Sequence, residues 1–298
     1  MSNQMLAFLP IYNRAEMTVQ FISRFQDILD SQIKLTVFLL DAGSTDNVFE
    51  KVQQLDANIK FIQLDDSYFW GKSMNKIIEI VKNESVPNDC LIGIFNNDTL
   101  QFERPLQRGI ELLDRYDVMA PLSLEIDHRF KEPVETGETV SFKDLISQFS
   151  ADIDYGMQFD KLRGRFVNRS PNQTPNVSQT LGTLARAKVL RSLPDSLIPP
   201  EIPHYLSDYY LTYSLTQMNY QLAIDPDYFV VRFYNPDDKK LPTEPDVARR
   251  ESYNPQSRTY RPAMIRFRED FSKEPGLRTK ILLKKAHYQL HRLLKRAS

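Results

Sequence analysis

Leu91-Ile92-Gly93-Ile94-Phe95-Asn96-Asn97-Asp98-Thr99 is the stretch from which the rest of the chain can be read. Its first four residues predict a buried strand, and that strand ends abruptly in polar side chains. In an open α/β sheet, ligands sit just outside the carboxyl ends of the strands. The Asn96-Asn97-Asp98 cluster offers hard oxygen atoms at that place. Mg²⁺ and Mn²⁺ prefer such donors, and a bound ion would in turn hold a diphosphate. The competing reading is a polar strand-to-helix turn in which Asp98 or Thr99 caps the next helix.

Upstream, Met5 to Leu9 predicts a short buried strand, broken by Pro10-Ile11-Tyr12-Asn13-Arg14. Met17, Phe21, Ile22, Phe25, Ile28 and Leu29 then fall at helix spacing. A second apolar run, Leu35 to Leu40, ends at Asp41-Ala42-Gly43-Ser44-Thr45-Asp46, and Val48, Phe49, Val52 and Leu55 mark another helix. A third strand, Ile59 to Leu64, runs into Asp65-Asp66 and Phe69-Trp70-Gly71-Lys72-Ser73-Met74-Asn75, and then a helix with Ile77, Ile78, Ile80 and Val81. Strands alternating with helices predict a mainly parallel, doubly wound sheet. Right-handed crossovers bring the carboxyl ends to one edge. Tyr12 and Asn13, Asp41, Asp66 and Asp98 would meet there.

Downstream, Arg104 to Tyr116 predicts a helix and Val118 to Pro121 a strand. Residues 123–178 are irregular apart from a helix around Phe142 to Phe149. Gln179 to Ala185 reads as a strand carrying Gly182, a position where a ligand can come close. A helical run through Leu211, Leu215 and Met218 comes after Asp208, and Gln221–Ile224 and Tyr228–Phe233 read as strands. From Asn235 charge and proline dominate. Arg278 to Ser298 carries basic residues and no acids, with Leu283, Ala286, Leu290, Leu293 and Leu294 on one helical face. Such a helix suits an anionic membrane surface; a solvated helix packed on the body is the alternative.

The 298 residues, 41% hydrophobic and 26% charged, allow one large α/β domain or two small ones. A net charge of −1 gives no global field for nucleic acid. One cysteine, Cys90, excludes an internal disulfide or a cysteine-rich zinc site. No apolar window approaches ~18 residues, so no membrane span is expected. Met1 to Pro10 lacks the basic and apolar regions of a signal peptide, and a cytoplasmic location is the expectation. No G-x-G-x-x-G or G-x-x-x-x-G-K turn is present.

With these residues laid out, the chain resembles the family 2 glycosyltransferases of the GT-A fold, most like bacterial rhamnosyltransferase-type members. The resemblance rests on Tyr12-Asn13-Arg14, Asp41 to Asp46, Gly71 and Asn75, and Asn96-Asn97-Asp98-Thr99. It continues at Leu181-Gly182-Thr183 and Ser207-Asp208-Tyr209-Tyr210-Leu211-Thr212. It implies a Rossmann-like, mainly parallel sheet flanked by helices, with a GT-A domain over residues 1–235. Residues 1–100 would bind nucleotide, residues 101–235 the acceptor, and residues 236–298 would form a C-terminal helical extension.

The resemblance also implies roles. Pro10, Tyr12, Asn13, Arg14, Asp41, Gly43, Ser44, Asp66, Gly71, Lys72, Asn75, Asn97 and Gly182 would surround a nucleotide-diphosphate sugar. Asp98 and Asn96 would hold Mn²⁺ or Mg²⁺. Asn96 stands where the family often has a first aspartate, and Arg232-Phe233-Tyr234-Asn235 lacks the metal-binding histidine of many relatives, for which His204 is a candidate substitute. Asp208 matches the catalytic base of inverting members, and it can equally cap its helix. For Trp70 core packing is the expectation. The implied activity is single transfer to a glycan or polyprenol-linked acceptor in bacterial surface polysaccharide synthesis. The alternative is a catalytically silent chain that binds a nucleotide sugar or a partner protein.

Overall fold

A computed structural model describes residues 3–65, 67–136, 141–149, 152–168 and 173–234, with 254, 255, 257, 260–277, 279–283 and 286. Strands β1 (Gln4–Ile11), β2 (Lys34–Asp41), β3 (Ile59–Gln63) and β4 (Leu91–Ile94) form the expected parallel sheet in the order β3-β2-β1-β4. Helices α1 (Ala15–Ile28), α2 (Val48–Val52) and α3 (Trp70–Asn83) make the crossovers. Strand side chains alternate between two cores. Leu6, Phe8, Phe38 and Leu40 pack towards α3, while Met5, Ala7, Leu9, Val37 and Leu39 pack towards α1 and α2. Covering on both faces explains why β1, β4 and most of β2 read as unbroken apolar runs, whereas the edge strand β3 keeps Lys60 and Gln63 exposed.

Past β4 the chain departs from simple alternation. After β5 (Thr99–Leu100) and α4 (Glu103–Leu112), β6 runs over Val118–Asp127, longer than expected. A 3-10 turn (His128–Phe130), α5 (Lys131–Thr136), α6 (Phe142–Phe149), β7 (Asp152–Asp154), β8 (Met157–Asp160) and β9 (Arg165–Asn168) occupy the irregular stretch. Then come β10 (Thr183–Arg186), α7 (Ala187–Arg191), α8 (Ser207–Gln217), β11 (Leu222–Tyr234) and α9 (Arg261–Phe271). The nine-stranded sheet continues β4-β10-β6-β11-β5, with β7 on β6. β10 is antiparallel to both its neighbours, and β11 is parallel to β6. The strand expected from Gln179 begins only at Thr183, so Gly182 lies just before it. The two strands expected after Gln221 are one strand with a bulge between Asp225 and Phe229, where Pro226 cannot donate to a ladder.

Of the segment expected as an extension, α9 packs into the body. Phe267 meets Phe159, Phe166 and Tyr213 at ring separations of 4.9, 5.0 and 5.8 Å. Tyr210 donates to Asp270 at 2.7 Å. The expected basic helix lies mostly outside the described residues. Among those described, Ile281 is buried with Leu277 and Ile265, while Leu282 and Leu283 are exposed.

The strand-to-turn exit at Phe95 is fixed by packing. Phe95 is fully buried, its ring 4.7 Å from Phe25 and 5.9 Å from Phe21. It folds back over Gly93, where an added Cβ would stand 2.2 Å from the ring. Phe95→Ala is expected to cost about 3–5 kcal/mol in urea unfolding, against less than about 0.5 kcal/mol for Leu162→Ala at an exposed position.

Candidate functional site

Two turns at the carboxyl ends of β1 and β2 are latched together. Ile11 and Asp41 are register partners, so both turns leave the sheet side by side. Asn13 adopts a left-handed backbone, φ 50°, tolerated by a short polar side chain. Its N–H donates to Ser44 Oγ at 2.9 Å, and its Oδ1 accepts from the Thr45 N–H at 2.8 Å. Gly43, φ 84°, supplies the tight reversal. Buried Asp41 accepts the Ser44 N–H at 2.9 Å and the Ser44 hydroxyl. Asp46 accepts the Ala15 N–H at 2.7 Å, capping α1 from a different loop; Arg14, at the cap position, makes no such bond. Tyr12 is 56% exposed at the rim, and Pro10 sits within β1 opposite Leu40.

The Asn96–Thr99 turn is closed by the Thr99 hydroxyl, which donates to the Asn96 carbonyl at 2.7 Å. Asn96 and Asp98 stay partly exposed, whereas Asn97 and Thr99 are buried. Asn97 is turned inward, its amide donating to Thr18 Oγ1 in α1 at 2.9 Å. Asp98 Oδ2 accepts from Arg14 at 3.2 Å and Arg232 at 3.4 Å. Arg232 also lies 4.0 Å from Glu125. Asp98 Oδ1 and Asn96 Oδ1 are both buried without a hydrogen-bond partner. Leaving a buried acceptor unsatisfied costs about 1–3 kcal/mol. Two such oxygens in one turn fit a hard divalent cation, which takes oxygen ligands. Among the described residues no group of three or more His, Cys, Asp or Glu side chains could hold a metal. The remaining ligands would come from water or a bound molecule, and His204 completes no such cluster.

Asp208 occupies the first turn of α8. Its Oδ1 accepts from Thr180 Oγ1 at 2.8 Å and from the Trp70 indole N–H. The residue as a whole keeps some solvent access, but its carboxyl is deeply set. Burial is the dominant effect and pushes its pKa up, opposed by these bonds and by the field of Arg232. Leu206, just before α8, is held at φ 73°, a strained conformation for a bulky residue. Trp70 is therefore more than core packing: its indole orients the carboxyl. It is fixed by α3, where the Gly71 N–H donates to the Pro203 carbonyl at 2.8 Å. Gly71 can come that close because it lacks a Cβ, which would stand 2.3 Å from the Ile202 carbonyl. Asn75 clasps Ile198, donating to its carbonyl and accepting its N–H, both at 2.8 Å. Gly71 and Asn75 thus fasten the 198–206 segment over α3.

Lys72 is exposed and donates to Ser67 Oγ at 2.7 Å. Gly182, φ 156°, accepts the Tyr228 hydroxyl through its carbonyl beneath the sheet end. Asp66 lies outside the described residues. Sequence reasoning did not single out Trp70, Thr180 or Arg232 as site residues. Only Arg232 carried a signal, standing where a histidine was expected. His204 packs edge-on against Tyr205 and Phe69, and burial lowers its pKa.

The raised Asp208 pKa has a stability consequence. Its contribution is fully present below the ordinary carboxylate value of 3.8 and is lost as pH rises through the higher folded-state value. Asp208→Asn, which keeps an acceptor for Trp70 and Thr180, is expected to raise the melting temperature above pH 7. That gain should disappear near pH 4, as read by thermal unfolding across the range.

No protein-family model and no curated protein sequence matches the chain. Solved structures do. The mannosyltransferase PcManGT from Pyrobaculum calidifontis, in complex with GDP-Man and Mn²⁺, is 13% identical. The match covers 95% of this chain and 69% of that one, with a TM-score of 0.52. Glucosyl-3-phosphoglycerate synthase from Mycobacterium tuberculosis, with Mn²⁺, UDP and glucosyl-3-phosphoglycerate, is 14% identical over 79% of this chain and 74% of its own, TM-score 0.47. At such identity the likeness to the mannosyltransferase speaks to architecture alone. The chain has the GT-A fold.

Proposed function

We propose that this protein is an inverting glycosyltransferase. It would move a sugar from a nucleotide-diphosphate donor to a hydroxyl of a glycan or polyprenol-linked glycan in bacterial surface polysaccharide synthesis. The carrying observation is a run of contacts that ties the Asp41 and Asp98 turns together at one sheet edge and ends at Arg232, whose field reaches the Asp208 carboxyl on α8. Asp41 holds Ser44, which meets Asn13; the adjacent Arg14 reaches Asp98; Arg232 touches Asp98 and acts on Asp208 through its field.

Each group has a part in this reading. Exposed Tyr12 offers a ring face to the base, and Asp41 is a pure acceptor for a base N–H or ribose hydroxyl. Asp98 and Asn96 would hold Mn²⁺ or Mg²⁺, which neutralises charge growing on the leaving diphosphate. Arg14 and Arg232, which donate to Asp98 Oδ2, are charged donors that a leaving diphosphate could recruit. Asp208 takes the proton of the acceptor hydroxyl as the hydroxyl attacks, and its raised pKa makes it a stronger base near neutral pH. Trp70 and Thr180 hold that carboxylate in place. The similar mannosyltransferase, solved with GDP-Man and Mn²⁺, supports a donor of this class.

A thermal-shift screen of UDP, dTDP, GDP and CMP with and without Mn²⁺ tests the reading. One diphosphate should raise the melting temperature further with Mn²⁺, and Asp98→Ala should remove that increment. Asp208→Asn should keep donor binding and lose about 10²–10⁴ in turnover. The acid limb of kcat/KM should fall above the ordinary carboxylate value. No binding of any nucleotide would overturn the transferase reading in favour of a partner-binding protein. Peripheral contact at the inner face of the plasma membrane through residues 278–298 belongs to the same proposal. It predicts co-sedimentation with vesicles rich in anionic lipid, lost when those residues are deleted.

A further inference from the structure

Asp98 is engaged in an unusual way for a residue meant to meet a cation. One of its oxygens is shared by two guanidinium groups, and the other is buried and unpartnered. A guanidinium group is a delocalised, persistent positive charge. The other unpartnered oxygen of this turn, Asn96 Oδ1, is neutral. A free dication approaching this turn meets an Asp98 carboxylate already engaged by two guanidinium groups, of which Arg232 has a second carboxylate nearby, Glu125 at 4.0 Å.

We infer that Arg14 and Arg232 hold Asp98 closed against a free divalent cation, so that cation and nucleoside diphosphate bind only as a pair. This rests on the metal-assisted transferase reading above. A diphosphate changes the balance in two ways. Its oxygens supply cation ligands that the protein lacks, and they give each guanidinium fork a better acceptor than a shared carboxylate oxygen. The two arginines have room for the exchange. Arg14 is about half exposed, and Arg232 has Glu125 as a second neighbour at 4.0 Å. The arginine exchange prevents the protein from trapping a cation without its donor. By linkage, the cation then tightens nucleotide binding by the factor with which the nucleotide tightens the cation.

The test is a titration of Mn²⁺ against the full chain, following the electron paramagnetic resonance signal of the free ion. UDP, dTDP and GDP serve as probes, and their own Mn²⁺ complexes are subtracted. The wild-type chain should hold Mn²⁺ at least tenfold more tightly with one of the nucleotides than alone. Arg232→Gln should bind Mn²⁺ alone at least tenfold more tightly than wild type, and Arg14→Gln should shift in the same direction. Arg232→Lys, which keeps the charge, should stay weak. Melting temperatures check that the variants fold, and the exposed Arg14 carries the test if Arg232→Gln does not. The inference fails if both glutamine variants bind Mn²⁺ alone no better than wild type while the nucleotide still recruits it. If no nucleotide recruits Mn²⁺ to the wild-type chain, the metal-assisted reading falls first and takes the inference with it.

Discussion

Burial of both faces of β1, β4 and the second half of β2 is the constraint on which the rest of the molecule depends. A strand covered on both sides has no place for an uncompensated polar side chain, so its polar chemistry emerges where the strand ends. Met5 to Leu9 and Val37 to Leu40 are all nearly inaccessible. The first strong acceptor on β2 is Asp41, its last residue. On β4 the polar residues begin immediately after Phe95. Parallel register then sets these ends side by side, and the turns beyond them must satisfy one another.

That mutual satisfaction makes the site one unit. Asn13 is held by Ser44 and Thr45, and Asp46 caps the helix that begins two residues after Asn13. A change in the β2 turn is therefore felt at the start of α1 and at Arg14, the residue that reaches Asp98. On the other side, Gly71 and Asn75 tie α3 to the 198–206 segment, which brings the Trp70 indole onto Asp208. The aromatic packing of α9 on β8, β9 and α8 supports that helix from behind. Arg232 stands between the two halves, bonded to Asp98 and within the field of Asp208.

The irregular half shows how local reading loses its grip. β6 continues to Asp127 because Leu122, Leu124 and Ile126 find a third core with Phe229 and Val231. β10 enters the sheet antiparallel, which no periodicity announces. The two apolar runs around Pro226 look like separate strands because proline interrupts the pattern, yet a bulge absorbs it within one strand. Asn97 reads like its neighbours, but the turn points it into Thr18 of α1 while Asn96 and Asp98 stay partly exposed. Spacing in a short polar cluster does not tell which members face a ligand. That is decided by the backbone dihedrals of the turn.

By itself the sequence determined the alternation of strands and helices in the first hundred residues. It thereby placed Asp41 and Asp98 at strand ends, since apolar periodicity is a local signal that burial enforces. It also set Asp208 at the start of a helix as a candidate cap, whereas the structure puts Leu206 at the cap position and Asp208 inside the first turn. Only the tertiary structure decided which groups surround those carboxylates. Arg232 reaches Asp98 across 134 residues of chain, and Trp70 reaches Asp208 across 138. A hydrogen bond at such separation depends on how sheet and helices pack, and no stretch of either segment records its partner.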